Sequence, residues 1–490
     1  MKEDLKKEAL KEETLDPENW EELRQLGHQM LDEMMNWLET LRERPVWQPV
    51  PDQVKAQFQQ KLPLEGQNLK EAYQDFLTDV LPFPTGNQHP RFWGWVHGTG
   101  TPTGMLAEML AAGMNAHVGF GEHAAVYVEK QVIDWCKEML GFPLEASGIL
   151  VSGCTMANVT GLTVARNAKA GFNVQQQGLQ SSNAKMVLYG SSETHSSIQK
   201  AIELLGLGHE SLRRIPVDSN YQIDLAALKK AIAEDRTKGL KPFCIIGNAG
   251  TASMGSIDDL NGLADVCEAE NLWFHVDGAF GALAALSPQY RPLLKGMERA
   301  DSLAFSLHKW TSMPYEVGCA LIRHPDKHHQ SFSATGAYLL PMSRGAASGI
   351  WFMEYGVQSS RGFRALKVWL SLKENGSNKY RRVIEQNLAQ AKYLASLIEA
   401  SPDLELLAPV PLNIVCFRFV KPNLSEAQLN ELNKELLLRL QESGIAIPTY
   451  TSIKGKFAIR CSLTNHRSRR EDFDLLIDSV IKIGKEITGI

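Results

Sequence analysis

A short apolar run, Ser302–Phe305, ends on Ser306, and His308 and Lys309 follow just before Trp310. A lysine at the end of a buried strand is either a solvated charge or an amine kept neutral enough to attack a carbonyl. A second run, "LWFHVDGAFGA", ends on Asp277. A buried carboxylate needs a cation or hydrogen-bond donors around it. Gly278 and Ala279 beside it leave room for a flat ring. In "GSSETHSSIQKA", His195 stands where a strand gives way to a helix. There an imidazole either caps the helix or lies flat on a planar group. In "GILVSGCTMANVTGL", a strand reaches Ser152, Gly153, Cys154 and Thr155 before a helix begins. Small residues, free N–H groups and the helix dipole attract an anion such as a phosphate. Singly, each stretch has an ordinary reading: a capped turn, a surface histidine, a capping aspartate, a solvated lysine.

Together they supply a phosphate cradle, a stacking ring, a buried carboxylate and a buried amine, in that chain order and each at a strand end. That set matches pyridoxal 5′-phosphate. Its aldehyde bonds a lysine, and a carboxylate keeps its pyridine nitrogen protonated so that the ring serves as an electron sink.

These residues need a scaffold of strands whose ends meet. Between about 86 and 370, the runs "GILVSG", "KMVLYG", "FCIIGN", "LWFHVD", "SLAFSL" and "GCALIR" alternate with helical stretches. That alternation predicts an α/β domain with a large, mainly parallel sheet covered on both faces, and ligands beyond the C-terminal strand ends. Within it, residues 324–349 are rich in Ser, Gly and Ala without periodicity and read as a mobile loop. Residues 371–490 alternate helices with "LNIVCFRFV" and "KFAIRCSL", a smaller C-terminal α/β domain. Residues 1–85 read as a helical N-terminal arm. Its first helix is expected to start with Asp16 as cap and Pro17 at the first helical position, and its apolar stripe calls for a docking partner such as a second copy of the chain.

The bulk composition narrows the field further. A net charge of −5 over 490 residues argues against a nucleic-acid surface. No apolar run approaches a membrane span. The seven cysteines include no C-x-x-C pair and read as reduced thiols in a cytoplasmic protein. The charged start "MKEDLKKEALKEE" has no apolar h-region, so no signal peptide is expected. His328 and His329 lack a carboxylate or cysteine at ligand spacing, and no metal is expected.

The chain resembles the group II pyridoxal-phosphate-dependent amino-acid decarboxylases, among them the aromatic-L-amino-acid and tyrosine decarboxylases. The resemblance runs from "HPRFWGWVHGTGTPTGMLAEML" through "RGFRALKVWLSLKENG" and is strongest in "LVSGCTMAN", "SSETHSSIQKA", "GNAGTASMGSIDDL", "WFHVDGAFGA" and "LHKW". It implies the aminotransferase-like fold (fold type I), a homodimer with active sites at the subunit interface, and loss of carbon dioxide from an L-amino acid to give the amine. By motif, Lys309 is the Schiff-base lysine. Ser306, His308, Cys154 and Thr155 face the phosphate. Asp277 pairs with the pyridine nitrogen, His195 and Ala279 contact the two ring faces, and Thr251 bonds near the ring substituents. Tyr338, in "SATGAYLLP", matches the loop tyrosine that protonates the substrate carbon; relatives with Phe there shift towards aldehyde formation. Trp95, Val96 and His97 match the side-chain pocket. The aromatic character of that pocket favours an aromatic substrate, while His97 also suits an acidic or hydroxylated one. An aldehyde synthase, a carbon–carbon lyase or a non-catalytic homologue on the same fold are the alternatives. Ser306 stands where the family often has Asn or Asp, and Cys154 where a small hydroxyl residue or alanine is usual.

Overall fold

The six apolar runs become strands of one seven-stranded sheet in a computed structural model that describes residues 13–333 and 342–489. They are β1 (Ser147–Val151), β2 (Met186–Ser191), β4 (Lys241–Asn248), β5 (Trp273–Asp277), β6 (Ser302–Ser306) and β7 (Gly318–Ile322). A further strand, β3 (Leu212–Ile215), lies at one edge, and the order across the sheet is β1-β7-β6-β5-β4-β2-β3. The pairs from β3 through β2, β4 and β5 to β6 are parallel, and β7 runs against both its neighbours. Every residue of β2, β5, β6 and β7 is buried. A sheet covered on both faces has no solvent side, so its strands read as unbroken apolar runs rather than as alternation.

The register sets the site. Val151 and Ser306 both pair with Gly318, while Asp277 pairs with Ala304 on one side and Asn248 on the other. The C-terminal ends of β1, β4, β5 and β6 therefore line up along one edge of the sheet. A Cβ on Gly318 would lie 2.6 Å from the Gly153 backbone. The missing side chain is what allows the turn after β1 to cross there.

A second sheet follows, with β8 (Leu404–Leu406), β9 (Ile414–Phe419), β10 (Thr449–Ile453) and β11 (Lys456–Ser462) in the antiparallel order β10-β11-β9-β8. Its own apolar cluster includes Phe417, Phe419, Leu436 and Phe473, the last two from helices Glu426–Glu442 and Arg470–Thr488. The sequence boundary at 370/371 falls inside the helix Ala365–Ala400, which is interrupted at Gly376 by a non-helical backbone.

Among the described residues, those within 13–44 and 50–84 cluster apart from those within 45–49 and 85–489. Within the former, the long helix spans Trp20–Glu39 and starts later than the sequence suggests. Asn19, not Asp16, is the cap. Its Oδ1 accepts the N–H groups of Glu21 at 3.1 Å and Glu22 at 3.2 Å, satisfying two orphan donors and leaving Pro17 outside. None of the residues of this helix is fully buried.

The segment read as a loop over 324–349 begins with a helix, Pro325–Phe332. Proline opens it, and His328 anchors it by bonding Ser147 Oγ and the Tyr355 carbonyl, both at 2.8 Å. His329 has a carboxylate partner that the sequence did not reveal, Glu354 at 2.8 Å. Tyr338 lies outside the described residues. Among the described residues, no helix is long and apolar enough to cross a membrane, and no group of three His, Cys, Asp or Glu is arranged to hold a metal ion.

Candidate active site

The aligned strand ends open into a cavity of about 680 Å³. Its wall carries Lys309, Asp277, His195, Ala279 and Thr251, together with Cys154, Thr155, Ser306 and His308. Trp95, Val96 and His97 line it as well. These residues arrive on separate segments, the ends of β1, β2, β4, β5 and β6 with the turns after them and the stretch 95–97, and the sheet register aligns the strand ends that carry all but the last.

The turn from β1 into the helix Cys154–Lys169 builds one end. Gly153 caps that helix without a side-chain bond, so the N–H groups of Thr155 and Met156 have no intrahelical acceptor. The Cys154 N–H donates to Ser306 Oγ at 3.2 Å, which ties the end of β6 to the start of the helix. His308 sits beside them. Its Nδ1 accepts the Val317 N–H at 3.1 Å, and burial, reinforced by the charge of Lys309, pushes its pKa down to about 3. The ring is thus neutral, with its proton on Nε2 as a donor.

Asp277 builds the other end. Oδ1 accepts from the Ala279 N–H at 3.1 Å and the Cys154 thiol at 3.4 Å, and Oδ2 from Asn158 Nδ2 at 3.0 Å. All three partners are donors, the surroundings that a carboxylate anion needs. Burial first, and then the charge of Asp277, hold the Cys154 thiol well above its ordinary pKa, so it remains a donor. Thr251 lines the cavity with its hydroxyl engaged by Ser256 Oγ at 2.8 Å.

His195 is both a cap and a cavity residue, two readings that the sequence had set against each other. Its Nδ1 accepts the Ser197 N–H at 3.2 Å at the start of the helix Ser196–Leu204, while the ring faces the cavity. Burial lowers its pKa.

The pyridoxal-dependent decarboxylase conserved domain matches residues 51–420. Aromatic-L-amino-acid decarboxylase from Bacillus atrophaeus is 37% identical over 472 residues, 96% of each chain. The chain belongs to the pyridoxal-dependent decarboxylases. A phenylacetaldehyde synthase from Arabidopsis thaliana is 29% identical, over 92% of this chain and 93% of that one. The crystal structure of Oryza sativa TDC with PLP and tryptamine matches with a TM-score of 0.89 and 25% identity, over 97% of this chain and all of that one. The architecture is that of fold type I, and this decarboxylase acts on amino acids with pyridoxal 5′-phosphate as cofactor.

The residues present fit that cofactor. Uncapped helix N–H groups and a donor His308 suit a phosphate. Asp277, ringed by donors, suits a protonated pyridine nitrogen. The Lys309 amine makes no hydrogen bond among the described residues, which suits an amine kept for an aldehyde.

Several site residues of this decarboxylase escape sequence reasoning. Arg460, from β11, donates to the carbonyls of Trp95 at 2.7 Å, Ser253 at 3.1 Å and Ala252. One cation thereby holds the pocket wall to the turn that carries Thr251. Tyr315 packs its ring 4.5 Å from that of His308 and 6.0 Å from that of His97. Thr449 and Tyr450 enter from β10. Only Asn158 left a trace in the sequence, as a polar residue within an otherwise apolar helix face.

Proposed function

We propose that this decarboxylase converts an aromatic L-amino acid into its amine and carbon dioxide, within the cavity that holds Lys309 and Asp277. The supporting observation is that one cavity combines these two residues with an aromatic wall of Trp95, His97, Tyr315 and Tyr450. His97 is stacked against Trp95, with ring centroids 5.4 Å apart. An aromatic pocket wall suits a flat substrate side chain. The names of the relatives, an aromatic-L-amino-acid decarboxylase and a phenylacetaldehyde synthase, point the same way.

When bound, the cofactor supplies an electron sink for the pair left at Cα as carbon dioxide departs. The protein does the rest. Lys309 Nζ would hold the cofactor aldehyde, and Asp277 would hold the proton on the pyridine nitrogen. Thr155, His308 and Ser306 would hold the phosphate end, with Cys154 tied to Ser306 through its N–H and to Asp277 through its thiol. His195 and Ala279 would pack on the two faces of the ring, and Thr251 would lie near its substituents. Trp95, Val96 and His97 would orient the substrate side chain and exclude water from it. Tyr338 would deliver its phenolic proton to Cα, since a pKa near ~10 still makes a phenol an adequate acid towards a carbanion in a dry site. A homodimer accounts for the unburied stripe of the Trp20–Glu39 helix, and a cytoplasmic setting for seven unpaired cysteines.

The test is a product screen. The cofactor-loaded protein is offered the common L-amino acids, and carbon dioxide, amine, aldehyde and peroxide are measured together. Carbon dioxide with one matching aromatic amine is the expected result. Turnover of acidic amino acids alone would refute the aromatic assignment, and aldehyde with peroxide would replace amine formation by the oxidative reaction.

A further inference from the structure

Behind the cavity, a line of buried polar groups runs from the floor of the sheet to the two residues assigned to the cofactor ring. We propose that Trp273, Ser302, His275 and Asn158 form a one-way hydrogen-bond chain that fixes where protons sit around Asp277 and His195, which makes His275 and Asn158 positioning residues of the cofactor site. This rests on the reading that Asp277 and His195 meet the cofactor.

The direction of the chain follows from its two ends. An indole N–H can only donate and a carboxylate can only accept. Asp277 takes the NH2 of Asn158, which turns the Asn158 oxygen to His275 and calls for a proton on Nε2, so His275 Nδ1 accepts from Ser302 Oγ at 2.7 Å, and that hydroxyl accepts from Trp273 Nε1 at 2.8 Å. His275 is completely buried, which lowers its pKa to about 4 and keeps the ring neutral. With Nδ1 accepting, its proton is on Nε2, which donates to Asn158 Oδ1 at 2.9 Å. The oxygen of the Asn158 amide faces His275, and its NH2 faces the cavity side. One N–H goes to Asp277 Oδ2 at 3.0 Å and the other to Ser197 Oγ at 3.1 Å. Having accepted there, Ser197 gives its own proton to His195 Nδ1 at 2.9 Å. His195 is left with its proton on Nε2.

Reversing the Asn158 link breaks its neighbours. A flipped Asn158 would put its oxygen against the Asp277 carboxylate and its NH2 against the Nε2–H of His275. Both contacts are buried and neither could be solvated. Asn158, His275, Trp273 and Ser302 are all buried away from the cavity lining, so water does not stand in for a lost partner among them.

The packing preserves this arrangement. A Cβ on Gly161 would lie 2.8 Å from His275 Cε1, 2.9 Å from its Nδ1 and 3.2 Å from Ser302 Oγ. Gly161 is an interior residue of the helix Cys154–Lys169, where glycine is otherwise unfavourable. Asn158 and Gly161 are three apart on one helix face, and His275 and Asp277 are two apart on one face of β5. The spacing brings amide, imidazole and carboxylate into one line.

The test is a double-mutant cycle on cofactor affinity. Asn158→Leu, His275→Phe and the double variant are prepared without cofactor and titrated with pyridoxal 5′-phosphate, following the visible absorption of the bound form. Each single variant is expected to bind at least ~10-fold more weakly and to shift the visible band. The double variant is expected to bind no more weakly than Asn158→Leu, because His275 acts only through Asn158. Unchanged affinity and spectrum in the single variants would overturn the proposal. So would a double variant whose loss equals the product of the two single losses, since that marks independent packing roles. Ser302→Ala is the milder variant if the others fail to fold. It is expected to shift the band in the same direction, and an unshifted band with unchanged affinity overturns the chain. Parent protein that fails to bind the cofactor would instead refute the function proposed above.

Discussion

Replacing Arg361 with methionine leaves Glu129 as an unpaired charge in the interior. The two form an ion pair with side-chain exposures of 1% and 0%. Arg361 also donates to the carbonyls of Val118 and Leu150, both at 2.7 Å, and Glu129 Oε1 accepts the Leu150 N–H at 3.2 Å. Leu150 lies in β1, two residues before Ser152, so this pair fixes the strand that delivers the proposed phosphate end of the cavity. Breaking a buried pair from one side costs about 3–5 kcal/mol. An unfolding entropy of roughly 1 kcal/mol per kelvin for a chain of this length converts that into a fall of about 3–5 °C in melting temperature. The pair is not fully satisfied, since Glu129 Oε2 and Arg361 Nε have no hydrogen-bond partner among the described residues. Removing both charges with Glu129→Leu and Arg361→Met should therefore recover at least half of the loss. Calorimetry on the parent, the single variant and the double variant reads this directly. A single variant melting within about 1 °C of the parent, or a double variant less stable than the single, would refute the reasoning.

Acid should destabilise the cofactor-free protein through its buried histidines. Burial lowers His275 and His328 to about 4, below the ordinary imidazole value. Their contribution is complete above about pH 6.5 and is lost as the pH falls towards 4, because the unfolded chain then binds protons that the folded chain refuses. A melting temperature unchanged between about pH 7 and 5 would contradict this. Tyr338→Phe should retain cofactor binding and lose amine production, and an undiminished amine yield would remove Tyr338 from the proton transfer.

The strand ends were legible because burial leaves a simple trace. "WFHVD" and "SLAFS" are continuous apolar runs, and a charged or small polar group just after such a run has few reasons to be there. The edge strands were not legible. β3 is "LRRI", with two arginines in four residues, and β8 has three residues, so neither carries an apolar run. Arg460 was hidden for another reason. It lies mid-strand in the second sheet, and only the fold carries it to the carbonyls of Trp95 and Ser253, more than 200 positions away in sequence. The helix Pro325–Phe332 was missed because three of its eight residues are His or Ser placed by tertiary contacts rather than by an apolar stripe. Asn158 and His275 were visible as residues, but the proton order that joins them depends on contacts with Asp277 and with a hydroxyl brought in by the neighbouring strand β6.

The proposed function rests on Lys309 as the amine that would hold the cofactor. Borohydride reduction of the cofactor-loaded protein, followed by peptide mapping, tests this most directly. The account predicts the cofactor-derived mass on the peptide containing Lys309. The same mass on a different lysine, or none despite bound cofactor, would contradict it.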